Sequence, residues 1–206
     1  MLASKKVGIV DYGVGNLSSV KNALYRIGVK SIVSSEQEKL DSCSHLILPG
    51  VGAFYAAMRE LQESGLIGFL EAKCIHKDTP ILGICVGMQL MLEFSEEDGY
   101  HEGLGWVKGG AVRMPAKKGF KVPHVGWNSI ETFDDALFME IDDYKDYYFD
   151  HSYYCQVEDS EATSFVNYSE RMPSSFKKNH IVGVQFHPEK SNYNGLKLLK
   201  NFITKH

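Results

Sequence analysis

The chain has 206 residues, of which 44% are hydrophobic, 23% charged and 12% aromatic, with 19 glycines and 6 prolines. These fractions exclude a disordered tract, a collagen and a coiled coil, and the length suits one domain whose core needs no staples. Lys plus Arg number 22 against 26 Asp plus Glu, a net charge of −4, so no overall positive field draws nucleic acid or an anionic membrane.

In chain order, short apolar runs alternate with amphipathic stretches, the pattern of β-α-β units around a parallel sheet. Val7-Gly8-Ile9-Val10 reads as a buried strand. Leu17, Val20, Leu24 and Ile27, spaced by three and four, predict a helix that Gly28 stops. Residues 31–33 form a weak second strand and 45–48 a strong third, while Phe54, Met58 and Leu61 mark a helix and 66–75 another. Strand 81–84 and helix 88–94 follow, then a polar stretch, 96–105, that reads as a loop. From about Trp106 the pattern changes to strands joined by turns, at 107–114, 121–132, 147–157, 162–168 and 181–187; Leu196, Leu199 and Phe202 mark a closing helix. The expected fold is α/β, a single domain over 1–206 with a mixed, largely parallel sheet flanked by helices.

Cys43, Cys74, Cys85 and Cys155 make no C-x-x-C pair, which fits a reducing, cytoplasmic compartment. Residues 1–10 hold an apolar run too short for a signal peptide, and no segment approaches the roughly 18 apolar residues of a membrane span. No metal site is expected: there is no H-E-x-x-H, and no cysteine stands near a histidine in ligand spacing.

Gly83-Ile84-Cys85-Val86-Gly87 places G-x-C-x-G between an apolar strand and an amphipathic helix, the spacing of a nucleophile elbow with cysteine in place of serine. Glycines on either side let the chain turn sharply, the following helix aims its N-terminus at the sulfur, and the Val86 amide is placed to receive an oxyanion. Among eight histidines, His187 stands out. In Phe186-His187-Pro188-Glu189 it lies two residues from a carboxylate, so an extended chain points both side chains to one side, where Glu189 can hold the imidazole in one tautomer. A third piece, Pro49-Gly50-Val51-Gly52, is a glycine-rich loop able to turn a second amide toward a reacting carbonyl. Gly13-Val14-Gly15 leaves a nucleotide-binding module open as an alternative, weakened by Ser18 at the third glycine position.

Together these residues resemble the class I (triad) glutamine amidotransferases. The match includes residues 10–17, the loop 49–52, 83–90, Lys121-Val122-Pro123-His124-Val125-Gly126-Trp127-Asn128, His151-Ser152-Tyr153 and 183–191, and the loop and the Val-Pro-His-x-Gly-Trp-Asn stretch point to the imidazole glycerol phosphate branch. The resemblance implies that Cys85 attacks the side-chain amide of L-glutamine, His187 shuttles the proton and Glu189 orients His187. Val86 and Val51 would form the oxyanion hole, and Gly52, Gln89, Ser152 and Tyr153 would surround the substrate. It implies no cofactor, and a (β/α)8-barrel synthase subunit that takes the ammonia, met through Asn16, Trp127, Tyr148 and Lys190. Two positions depart from the family pattern, Asp150 before His-Ser-Tyr and Ser169 after Tyr168. They leave open a paralogue that amidates a surface-polysaccharide sugar.

Overall fold

Apolar runs buried on both faces form parallel strands when helices cover them on each side. In the computed structural model, which describes residues 5–133, 136–141 and 145–206, β1 (Lys6–Val10), β2 (Lys30–Ser34), β3 (His45–Gly50) and β4 (Ile81–Cys85) are parallel, joined by β13 (Ile181–Val184). The connections carry α1 (Leu17–Arg26), α2 (Gln37–Asp41), α3 (Phe54–Glu63), α4 (Ile67–Leu70), which runs on as a π-helical turn, and α5 (Val86–Leu90). The chain closes with α6 (Asn192–Lys205). Beyond β13 the sheet turns antiparallel, through β12 (Arg171–Lys178), β11 (Ala162–Asn167), β8 (His124–Thr132) and β9 (Asp146–His151). Among the described residues the order is β2-β1-β3-β4-β13-β12-β11-β8-β9. A smaller sheet, β10-β7-β5-β6, contains β10 (Tyr153–Gln156), β7 (Val107–Arg113), β5 (Leu92–Ser95) and β6 (His101–Glu102). One continuous apolar core includes residues of both sheets.

Several elements differ from the sequence expectation, each for a packing reason. The helix expected over 88–94 is the five-residue α5, buried along its whole length; the chain leaves it at Met91 because β5 pairs in parallel with β7. β12 escapes the hydrophobic pattern, since Pro173 and two serines interrupt it. Ser174 and Ser175 are nevertheless buried, because both meet Ser164 Oγ at 2.6 Å, and a buried hydroxyl is tolerated once bonded. The strand expected over 147–157 breaks at Ser152, where the chain passes from the edge of the larger sheet to the edge of the smaller. β8 begins at His124, after the cis Val122–Pro123 peptide bond, and the polar stretch 96–105 contains the short β6. Among the described residues no helix is long and apolar enough to cross a membrane.

Candidate active site

β4 delivers Cys85 to the carboxyl end of the sheet, beside β3 and β13, the end at which open α/β sheets hold their ligands. The turn into α5 is made by the cysteine itself, at φ 55° and ψ −114°, a sparsely populated conformation that costs about 1–3 kcal/mol in a residue with a Cβ. The flanking glycines therefore serve a different purpose from the expected one. A Cβ on Gly83 would stand 2.8 Å from the Met88 backbone, and one on Gly87 2.9 Å from the Leu48 carbonyl carbon and closer to its oxygen. They let α5 lie directly on β3 and β4. With only five residues, α5 has little macrodipole to offer the sulfur, so the hydrogen-bonding groups around Cys85 carry more of the electrostatics.

His187 follows the end of β13 and is fixed at its backbone: its amide donates to the Tyr148 carbonyl at 2.8 Å and its carbonyl accepts from Ser191 Oγ at 2.6 Å. Pro188 opens a 3-10 turn that brings Glu189 back beneath the ring. His187 Nδ1 stands 2.8 Å from Glu189 Oε1, with the two side chains 3% and 1% exposed. Burial alone would lower the proton affinity of His187. Hydrogen bonds to Cys85 and Glu189, together with their negative charges, outweigh it and raise the imidazole to about 10.

Cys85 and His187 open into one cleft of about 380 Å³, lined also by Val51, Gly52, Val86, Gln89, Ser152 and Tyr153. Glu189 stands behind His187 and does not line it. Tyr12 Oη donates to the Pro49 carbonyl at 2.7 Å, and a Cβ on Gly15 would meet the Pro49 ring at 3.0 Å. Tyr12 and Gly15 thus brace the 49–52 loop at Pro49. Lys190, expected at the partner face, lines the cleft and holds Nζ 5.2 Å from the Tyr148 ring centroid. Trp127 meets Tyr148 edge-on at 6.3 Å and is 49% exposed, so these three side chains form a row from the outer surface to the cleft. Asn16 is separate, preceding α1.

The sequence reading passed over Glu97, whose carboxylate accepts from the Phe54 amide at 2.6 Å, tying α3 to the cleft wall. Asp150, which the sequence marks only as a departure from the family pattern, places its carbonyl 3.9 Å from Cys85 Sγ. A stretch of acidic residues carries no sequence signal of which one faces inward. His151, quoted only within its motif, belongs to a directed chain. Its Nδ1 donates to the Tyr153 carbonyl at 2.9 Å and its Nε2 meets His124 Nδ1 at 3.2 Å. This arrangement suits neutral rings. Burial lowers His124 to about 4; for His151 burial outweighs the bond to Tyr153 and, with His124 and His187 nearby, lowers it to about 3.

Both histidines are protonated only in the unfolded chain between their folded values and the ordinary 6.5, so the unfolded state binds more protons there and stability falls as pH drops from about 6.5 toward 4. Each tenfold difference in proton affinity is worth about 1.4 kcal/mol. Urea unfolding of a His124→Asn variant, which keeps an N–H near the Nδ1 position and cannot titrate, is expected to show a shallower decline over that range than the parent. Parallel declines would refute the assignment.

The family model "Glutamine amidotransferase class-I" matches residues 8–206, and the chain belongs to that family. A structure described as that of PurLQS from Thermotoga maritima superposes with a TM-score of 0.72 at 16% identity, covering 98% of each chain; one described only as a glutamine amidotransferase gives 0.71 at 16%, covering 95% of this chain and 96% of that one. Closer in sequence are proteins named imidazole glycerol phosphate synthase subunit HisH. The one from Sulfurimonas denitrificans is 44% identical, over 95% of this chain and 96% of its own. HisH 1 of Campylobacter jejuni strain RM1221 is 41% identical, over 96% and 98%.

Proposed function

We propose that the chain is the glutaminase subunit of an imidazole glycerol phosphate synthase. The observation that carries this reading is the buried His187–Glu189 pair, 2.8 Å apart, set against a cysteine on a left-handed elbow in one cleft. The near full-length likeness to HisH proteins supports the choice of branch. Cys85 Sγ attacks the side-chain carbonyl carbon of glutamine with its proton already held on His187 Nε2, since Nδ1 is engaged by Glu189. The developing oxyanion is received by the Val86 amide and by the Val51 amide once its peptide turns, a movement that Gly52 at φ 82° permits. His187 returns the proton to the leaving nitrogen, ammonia departs, and water cleaves the glutamyl thioester to glutamate and free thiol.

Gln89 gives both amide hydrogens to protein acceptors, the Tyr153 carbonyl at 3.1 Å and Gln185 Oε1 at 3.2 Å, so it offers its oxygen to the substrate. Gly52, Ser152 and Tyr153 complete the pocket, and the Glu97 carboxylate suits the ammonium group of a free amino acid. Ammonia passes to a (β/α)8-barrel subunit and is used there on a ribulosyl aminoimidazole nucleotide, in the cytoplasm. Trp127, Tyr148 and Lys190, with Asn16, form the face toward that barrel.

Glutamate release measured for the chain alone, and then with the barrel subunit and its nucleotide, tests the proposal. At least about a tenfold rise is expected in the full mixture, the scale of coupling between two sites. The same rate in both conditions, with a barrel subunit competent to use free ammonia, would overturn it.

A further inference from the structure

We infer that Gln185 is a further catalytic residue, one whose carboxamide donates a hydrogen bond to the Cys85 sulfur and couples that sulfur to Gln89 on the cleft wall. The inference rests on Cys85 being the nucleophile. Gln185 is 0% exposed and lies between the end of β13 and His187, its amide donating to the Ser174 carbonyl at 2.9 Å. Its side chain fills the space between three groups: Cys85 Sγ 3.7 Å from Nε2, and Gln89 Nε2 and Cys155 Sγ at 3.2 and 3.9 Å from Oε1.

The direction of these bonds follows from what each group can do. The Tyr153 carbonyl can only accept, so the atom of Gln89 facing it at 3.1 Å is the NH2. The second hydrogen of that NH2 points at Gln185, which must answer with its oxygen. The Cys155 thiol, whose proton affinity is raised by burial and by the Cys85 charge, is a second donor to the same oxygen. Turning the Gln185 amide over would set an NH2 against both donors, and only one orientation remains. In it the nitrogen faces Cys85, and the sulfur accepts an N–H bond from one side while His187 faces it from another. A donor fixed on the sulfur stabilises its negative charge during attack and needs no rearrangement to do so.

Alkylation of Cys85 by iodoacetamide reads this directly, since the reagent uses neither the glutamine pocket nor the partner. The sulfur displaces iodide and the thiol proton leaves to solvent. The Gln185→Met variant keeps much of the volume and loses the donor. It is expected to react about tenfold more slowly at pH 7, the size of one hydrogen bond to a charged acceptor, with its rate–pH profile displaced to higher pH. The Gln185→Glu variant keeps the shape and the acceptor for Gln89 while replacing the N–H with a carboxyl oxygen, and slows the reaction at least as much. Where Gln185→Met is poorly folded, the isosteric variant decides. On the native sequence, the Gln185 side-chain NH2 resonance is expected to shift on Cys85→Ala. Alkylation within twofold of the parent in either folded variant, or an unmoved resonance, overturns the inference. A native chain that alkylates rapidly at Cys85 yet releases no glutamate with its partner would defeat the proposed function and leave the role of Gln185 standing.

Discussion

Cys85→Ala is expected to lower partner-activated glutamate release by at least about 10³-fold, because loss of a nucleophile that works as a unit with its base removes nearly all the chemistry. The fold is expected to survive. Cys85 is buried, but besides His187 its sulfur meets the Gln185 amide and the Asp150 carbonyl at 3.7 and 3.9 Å, and both of these are weak contacts for a thiol. Alanine keeps the Cβ and with it the strain at φ 55°, so its stability in urea should lie within about 1 kcal/mol of the parent. Glycine at the same position carries no such penalty and is expected to raise stability by about 1 kcal/mol while remaining inactive. A Cys85→Gly chain less stable than Cys85→Ala would show that the elbow is not strained, and residual glutaminase in either variant would place the nucleophile elsewhere.

Gly87→Ala is expected to have the second large effect, on structure and activity together. Inside a helix this change ordinarily stabilises by close to 1 kcal/mol. Here the new methyl would press on the carbonyl of Leu48 in β3, 2.9 Å from its carbon and 3.2 Å from the carbonyl carbon of Pro49, and these are backbone atoms of a central strand that cannot step aside. Overpacking of this kind costs about 1–3 kcal/mol, so the sign reverses. Relief requires α5 to lift from β3, carrying Cys85, Val86 and Gln89 with it, and a displacement of about 1 Å at reacting groups costs on the order of 100-fold in rate. A lower urea midpoint together with a loss of glutamate release of that size is the expected pair of results; an unchanged midpoint would mean that the contact between α5 and β3 is looser than its geometry states.

What could be read from the sequence was whatever the chain encodes over a few residues. Gly83 to Gly87 and His187 to Glu189 are short patterns with one chemical meaning each, and the elements bearing them carry strong apolar runs. The parallel half was equally legible, since β1, β3 and β4 alternate with helices of clear period. The antiparallel half was less so: β12 buries serines that satisfy one another only across the sheet, through Ser164. The length of α5 was set by β5 joining a second sheet, a long-range event that overrides the helical period of 88–94. Glu97 and Gln185 act through partners 43 and 100 residues away, and their roles exist only once the chain has folded.

The place of β13 has a consequence for how the protein is made. Cys85 ends β4 and His187 follows the end of the neighbouring β13, with Gly83 opposite Gly183, and β13 is also what joins the parallel half of the sheet to the antiparallel half. While the chain emerges from the ribosome, β1 to β4 can associate early with Cys85 at their rim. The position for β13 stays open until the 181–184 segment is released and inserts between β4 and β12. Until then the sheet exposes two unpaired edges, a state open to aggregation, and the cysteine has no base. The last strand to arrive therefore closes the sheet and leads directly into His187 and Glu189, so under the proposed mechanism a nascent chain lacking it would be unable to consume glutamine.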